Sequence, residues 1–187
     1  APFFLVEPDQ AIEAVKPPEG MSDARFAKRY KEYKKLLANS PIQQHGSEYQ
    51  KESLLKSIDN AHRLLSSPKA RKAFDLSLES KESYETYKVG GRFGLGCLLA
   101  KRLTEAGARF IEVTHGYYPF KYWDTHDNGH TRMRELKAMI DAPIAQLVLD
   151  LEKSNLLDRT LNVLTSDISH DMMIGGKPEK RVKDQVN

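Results

Sequence analysis

The residues best suited to chemistry gather between Arg109 and His130, in RFIEVTHGYYPFKYWDTHDNGH, a stretch with three of the six histidines and the only tryptophan. Asp124 and His126 stand two apart within it, His115 precedes them, and Ser166, Asp167 and His170 follow at a distance. Carboxylate oxygen with imidazole nitrogen is a donor mixture suited to zinc or another divalent cation. Such an ion binds a phosphate or sulfate oxygen and activates water. A plainer reading stands beside it, because an Asp-x-His pair in a loop commonly forms an Asx turn with a surface imidazole. Trp123 likewise has two readings, packing its loop onto the scaffold or stacking on a substrate.

Positioning these groups falls to the elements around them. Arg109-Phe-Ile-Glu-Val113 is rich in β-branched and aromatic residues between Gly107 and Gly116, which predicts a strand. Before it, Phe93, Leu95, Leu98, Leu99, Leu103 and Ala106 predict a helix ending at Gly107, the usual left-handed cap position. After it, Met133, Leu136, Ile140, Ile144, Leu147 and Leu151 mark the buried side of a helix over 131–153, with Pro143 expected to kink or divide it. Leu161-Asn-Val-Leu-Thr165 predicts a second strand. Strand, crossover helix and strand almost always close as a right-handed parallel pair. His115, Ser166 and Asp167 would then lie beyond one sheet edge, where open α/β sheets place their ligand crevices, with Asp124 and His126 in the loop between. The expected fold class is therefore α/β, a parallel-sheet half with an N-terminal helical insertion.

The insertion is read from the first half of the chain. Residues 1–21 carry Pro2, Pro8, Pro17, Pro18 and Gly20 and predict a proline-rich loop. Ser22 caps a helix with Phe26, Tyr30, Tyr33 and Leu37 at helical spacing, stopped by Asn39-Ser-Pro41. Ser47 and Gln50 have capping-box spacing ahead of Leu54, Ile58, Ala61 and Leu65. Ser67-Pro68 starts a shorter helix through Phe74. The expected organisation is a helical segment over 22–88, an α/β segment over 89–174 with parallel strands near 109–113 and 161–165, and a polar tail over 175–187.

Composition narrows the function classes. In 187 residues, 40% are hydrophobic and 29% charged, enough for one core in a soluble chain. The 29 basic and 26 acidic residues are interspersed and net only +3, so no basic face points to nucleic acid and no polybasic run to a membrane. No apolar run approaches the ~18–20 residues of a spanning helix. Cys97 is the single cysteine and reads as a buried, inert thiol. Gly90-Gly-Arg-Phe-Gly-Leu-Gly96 resembles a phosphate loop but follows no strand and lacks a Lys-Ser or Lys-Thr ending, so close backbone packing is the better reading. Ser166 lacks the Gly-x-Ser-x-Gly elbow of serine hydrolases. His126 and His130 are four apart without the His-Glu pair of a metalloprotease helix. His45 and His62 read as surface residues.

Three segments in order carry a resemblance: Arg92-Phe-Gly-Leu-Gly-Cys-Leu-Leu-Ala-Lys-Arg-Leu-Thr-Glu-Ala-Gly-Ala-Arg-Phe-Ile-Glu-Val113, Tyr122-Trp-Asp-Thr-His126 and Leu156-Leu-Asp-Arg-Thr-Leu161. With Leu64-Leu-Ser-Ser-Pro-Lys-Ala-Arg-Lys-Ala-Phe-Asp-Leu76 before them, the chain from about Ser22 resembles the domain-of-unknown-function 1501 family, which is sulfatase-like, of the alkaline phosphatase superfamily, and mostly found in exported bacterial proteins. The resemblance implies a metal-dependent hydrolase acting on a sulfate or phosphate ester, with a small-molecule or carbohydrate substrate and a periplasmic or extracellular setting. Asp124, His126 and Asp167 are its implied ligands for a divalent ion such as zinc, calcium or magnesium. His115, Trp123 and His170 are expected on the substrate side, His115 either supporting a metal ligand or contacting the anion. Asp167 and His170 stand where the family has the Glu and Arg of Gly-Glu-Phe-Gly-Arg. No Gly-Gly-x-x-x-x-Asp loop, no Cys-x-Pro-x-Arg or Ser-x-Pro-x-Arg nucleophile motif and no Asp-His-Trp segment is found, so no nucleophile can be named and the chain is read as a fragment. The alternative is a degenerate, non-catalytic member whose helical half binds a partner or carbohydrate.

Overall fold

The computed structural model describes residues 4, 5, 7–118, 121–123 and 129–165, with 117, 118, 121, 122 and 129–131 described by their backbone. It divides into two compact units, Ala1–Leu78 and Glu79–Asn187.

In the first unit, serines at helix starts do what the sequence predicts. Helix α1 spans Asp23–Ala38, with the Ser22 hydroxyl accepting from the Arg25 backbone N–H. After the short α2, Pro41–His45, α3 runs Glu48–Ser66 behind a complete capping box: the Gln50 N–H donates to the Ser47 side chain while the Gln50 side chain accepts from the Ser47 N–H. Helix α4, Pro68–Phe74, starts from Ser67 with proline in its first turn. The proline-rich opening is not loop throughout. Pro8–Val15 is a 3-10 helix, with Pro8 in its first turn, where the missing N–H costs nothing. It packs against α4 and the turn Leu76–Leu78, burying Ala11 and Val15 near Ala73, Phe74 and Leu76. His62 is also more than a surface residue. Its ring stacks on Tyr30 at 3.8 Å and Phe26 at 5.4 Å, tying α3 to α1.

The second unit is built on α5, Lys81–Lys88, α6, Gly91–Glu105, and α7, Gly129–Lys153. Helix α5, the last of the helical stretch over 22–88, lies in this unit. Pro143 does not divide α7, which continues through it. The ring is fully buried in a notch made by two glycines of α6's start: a Cβ on Gly90 would sit 2.4 Å from the Pro143 Cγ, and one on Gly94 only 1.8 Å from the Tyr87 carbonyl oxygen. The glycine-rich stretch is therefore a helix-packing surface. Leu95, Cys97, Leu98, Leu99 and Ala100 fill the core of this unit with Tyr87, Leu136 and Leu151.

The α/β expectation is overturned. Among the described residues, sheet is limited to a two-residue antiparallel ladder, β1, Tyr117–Tyr118, with β2, Lys121–Tyr122. The segments 109–113 and 161–165 are not strands and do not pair, in parallel or otherwise. Phe110 at 83% and Leu161 at 89% exposure face outward, as do Val163 and Leu164, while Ile111 and Val113 are half-buried. β-propensity expresses packing against cross-strand neighbours, so β-branched residues without a ladder partner remain extended coil. The architecture described is helical, and the shared sheet edge inferred for His115 and Asp167 goes with the parallel pair.

Candidate functional site

Of the chemically suited residues, the structure joins His115 to Trp123. Gly116, at φ +59°, takes the left-handed conformation that favours glycine and turns the chain directly after His115. Tyr117 then pairs with Tyr122 and Tyr118 with Lys121, so the returning strand delivers Trp123 beside His115. The Trp123 indole Nε1–H donates to His115 Nδ1 at 2.8 Å, with the rings edge-on at 5.6 Å and 76°. Phe93, from α6, meets the imidazole edge-on from another side at 5.3 Å and 86°.

This contact fixes the chemistry of the imidazole. An indole nitrogen only donates, so His115 Nδ1 must be the unprotonated acceptor and a neutral ring carries its proton on Nε2. Half-burial lowers the His115 pKa by penalising the imidazolium, which favours that neutral form. A protonated Nδ1 would also face the indole N–H donor to donor. His115 is thus held as an Nε2–H hydrogen-bond donor, a state that contacts anions and does not offer Nδ1 to a cation. Trp123 is engaged with His115 through its indole N–H, and this bond holds the imidazole in place.

The implied metal ligands Asp124, His126 and Asp167, and the substrate-side His170, lie outside the described residues, as do Ser166 and the tail 175–187. Among the described residues no group of three His, Cys, Asp or Glu side chains is placed to hold a metal ion, and no helix is long and apolar enough to cross a membrane. The donor set of two carboxylates and one imidazole still suits a divalent cation on chemistry alone.

A second polar cluster escaped the sequence reading. Glu79 accepts from Lys101 at 3.1 Å, Arg102 at 2.5 Å and Ser83 at 3.0 Å. Burial pushes its carboxyl up, but the three donors outweigh burial and hold it below the usual range. Asp150 accepts from the Tyr87 hydroxyl at 2.8 Å and from Gln146 at 2.9 Å, with Lys101 at 3.9 Å. Burial first, then the Asp150 carboxylate, raises the Tyr87 pKa, so the phenol stays protonated as a donor. The cluster ties α5, α6 and α7 together. The available signal was a carboxylate, Asp150, set among Leu147 and Leu151 on the apolar side of α7.

No curated protein and no solved structure matches the chain. The profile of one family does match, over residues 2–177, and the chain belongs to that family, described as protein of unknown function (DUF1501).

Proposed function

We propose that this chain is part of a sulfatase-like, metal-dependent hydrolase of the alkaline phosphatase superfamily, acting outside the cytoplasm on a sulfate or phosphate ester of a small molecule or carbohydrate. The observation that carries the reading is the Trp123 to His115 hydrogen bond. It presents an imidazole Nε2–H, and whichever acceptor that proton meets without substrate, an ester oxyanion is a stronger one. His115 therefore orients the anionic ester and helps stabilise charge building on its oxygens, while Trp123 holds the ring in the required tautomer. Asp124, His126 and Asp167 would hold a divalent ion, which when bound supplies Lewis-acid polarisation of the ester oxygen. His126 must be neutral to bind, so metal affinity is expected to fall as pH drops below about 6.5.

The test is metal analysis of the intact protein by inductively coupled plasma mass spectrometry, alongside hydrolysis of p-nitrophenyl sulfate and p-nitrophenyl phosphate. Asp124→Asn and His126→Ala should lose both metal and hydrolysis. His115→Ala should lose hydrolysis and keep its metal. Full metal content in both ligand variants would overturn the ligand set, and metal loss in His115→Ala would overturn the anion-contacting role. An intact protein with neither metal nor hydrolysis would leave the non-catalytic binding reading standing.

A further inference from the structure

The first unit carries a groove of 770 Å³ between α1 and α3 that the hydrolase reading does not use. Its floor is apolar: Phe26, Tyr30, Tyr33 and Leu36 from α1 oppose Ile58 and Leu65 from α3. Leu36 is 71% exposed and Tyr33 about half exposed, apolar surface of the kind that marks an interaction site when it is contiguous. Along the same side of α1 stand Arg25, Lys28 and Arg29, whose side chains make no ion pair with any described residue, whereas Lys34 and Lys35 are paired with Asp59 and Glu32.

We infer that this groove docks an acidic amphipathic helix of a partner protein, about three turns long. Length follows from the floor, since Phe26 to Leu36 spans about 15 Å at ~1.5 Å per residue, or roughly ten residues of a helix laid alongside. The acidic character follows from the three cations on the rim: the one acid in the lining, Glu32, is paired with Lys35, which leaves the groove apolar below and net positive at one side. That asymmetry disfavours a second copy of this chain, because a two-fold contact would set the same cationic rim against itself. A concave floor between two helices disfavours a membrane surface, which needs a projecting apolar face. Nucleic acid lacks its stacking platform, since the Phe26 and Tyr30 rings already stack on His62. Leucines of the incoming helix at helical spacing would fill the floor while its glutamates meet Arg25, Lys28 and Arg29.

The experiment uses the whole chain and two synthetic, helix-stabilised peptides of about three turns. Both carry leucines on one face, one flanked by glutamates and the other by lysines, and binding is read by fluorescence anisotropy. The glutamate peptide should bind about tenfold more tightly, as expected from two or three surface charge pairs, and the ratio should shrink at high salt. A double variant, Arg25→Glu with Arg29→Glu, should reverse the preference. Leu36→Ser and Tyr33→Ser should each weaken binding of both peptides without changing the circular dichroism spectrum. Equal binding of the two peptides, or binding of neither, overturns the inference. So does concentration-dependent dimerisation abolished by Leu36→Asp, which assigns the groove to a second copy, or Leu36-dependent capture by phosphatidylserine vesicles, which assigns it to a lipid surface.

Discussion

Replacing Gly94 with alanine distinguishes a helix-packing notch from a phosphate loop. In an isolated helix the change would stabilise by about 1 kcal/mol, since glycine is the poorer helix former. Here the new methyl would lie 1.8 Å from the Tyr87 carbonyl oxygen and 3.3 Å from the Pro143 ring. Neither neighbour can rotate away: one is backbone of α5, the other a fully buried ring in α7. Overpacking a core costs about 1–3 kcal/mol and occasionally more, and an obstacle made of backbone places this site at or above the top of that range. Subtracting the propensity gain leaves a net loss of about 2 kcal/mol or more. At ~2–4 °C per kcal/mol, the melting temperature should fall by about 4–8 °C. Urea unfolding followed by circular dichroism measures the loss directly, and differential scanning calorimetry the temperature shift. A Gly94→Ala chain as stable as the parent would refute the packing argument. A parent stabilised by millimolar inorganic phosphate, with that stabilisation gone in the variant, would restore the phosphate loop.

Glu79→Gln removes the charged partner that Lys101 and Arg102 share; partial exposure reduces the ~3–5 kcal/mol of a fully buried broken pair to about 2 kcal/mol. Because the folded Glu79 pKa is lowered, its stabilisation is complete above about pH 4.3 and lost as pH falls through the lower folded value, so the variant's urea midpoint should depend less on pH across that window. Tyr87→Phe removes the donor to Asp150 and should cost about 1.5–2 kcal/mol at neutral pH, a loss that denaturant unfolding would detect. Nitrogen-15 spectra of the histidine rings should show His115 as the neutral Nε2–H tautomer, and Trp123→Phe should raise its pKa; an Nδ1–H ring in the parent protein contradicts the hydrogen-bond assignment. Burial lowers that pKa, so the His115 contribution to stability is full above about pH 6.5 and declines as pH drops through the folded value.

What could be read in the sequence was local. Ser22, Ser47 with Gln50, and Ser67 with Pro68 announce helix starts because capping is chemistry among residues three apart, and each cap is present. The α6 leucines and the cap at Gly107 follow from period and conformation in the same way. The strands failed because pairing is a contact between distant segments, and Ile111, Val113 and Val163 record only a preference for extended backbone. Pro143 misled for a related reason. Its effect on α7 depended on Gly90 and Gly94, fifty residues upstream, which supply the notch for its ring. At the candidate site, sequence singled out His115 and Trp123 separately but not their hydrogen bond, which required the turn at Gly116 and the Tyr117 to Tyr122 register.

Cys97 gives the second unit an internal clock. The thiol lies 2% exposed in the middle of α6, and burial pushes its pKa up to about 12, so it is withheld from oxidants and alkylating reagents while the helices stay together. Reaction must then wait for α6 to part from α5 and α7, the same contacts that Gly94, Pro143 and Tyr87 close. With no second cysteine in the sequence to confuse the signal, the pace of thiol labelling counts those openings.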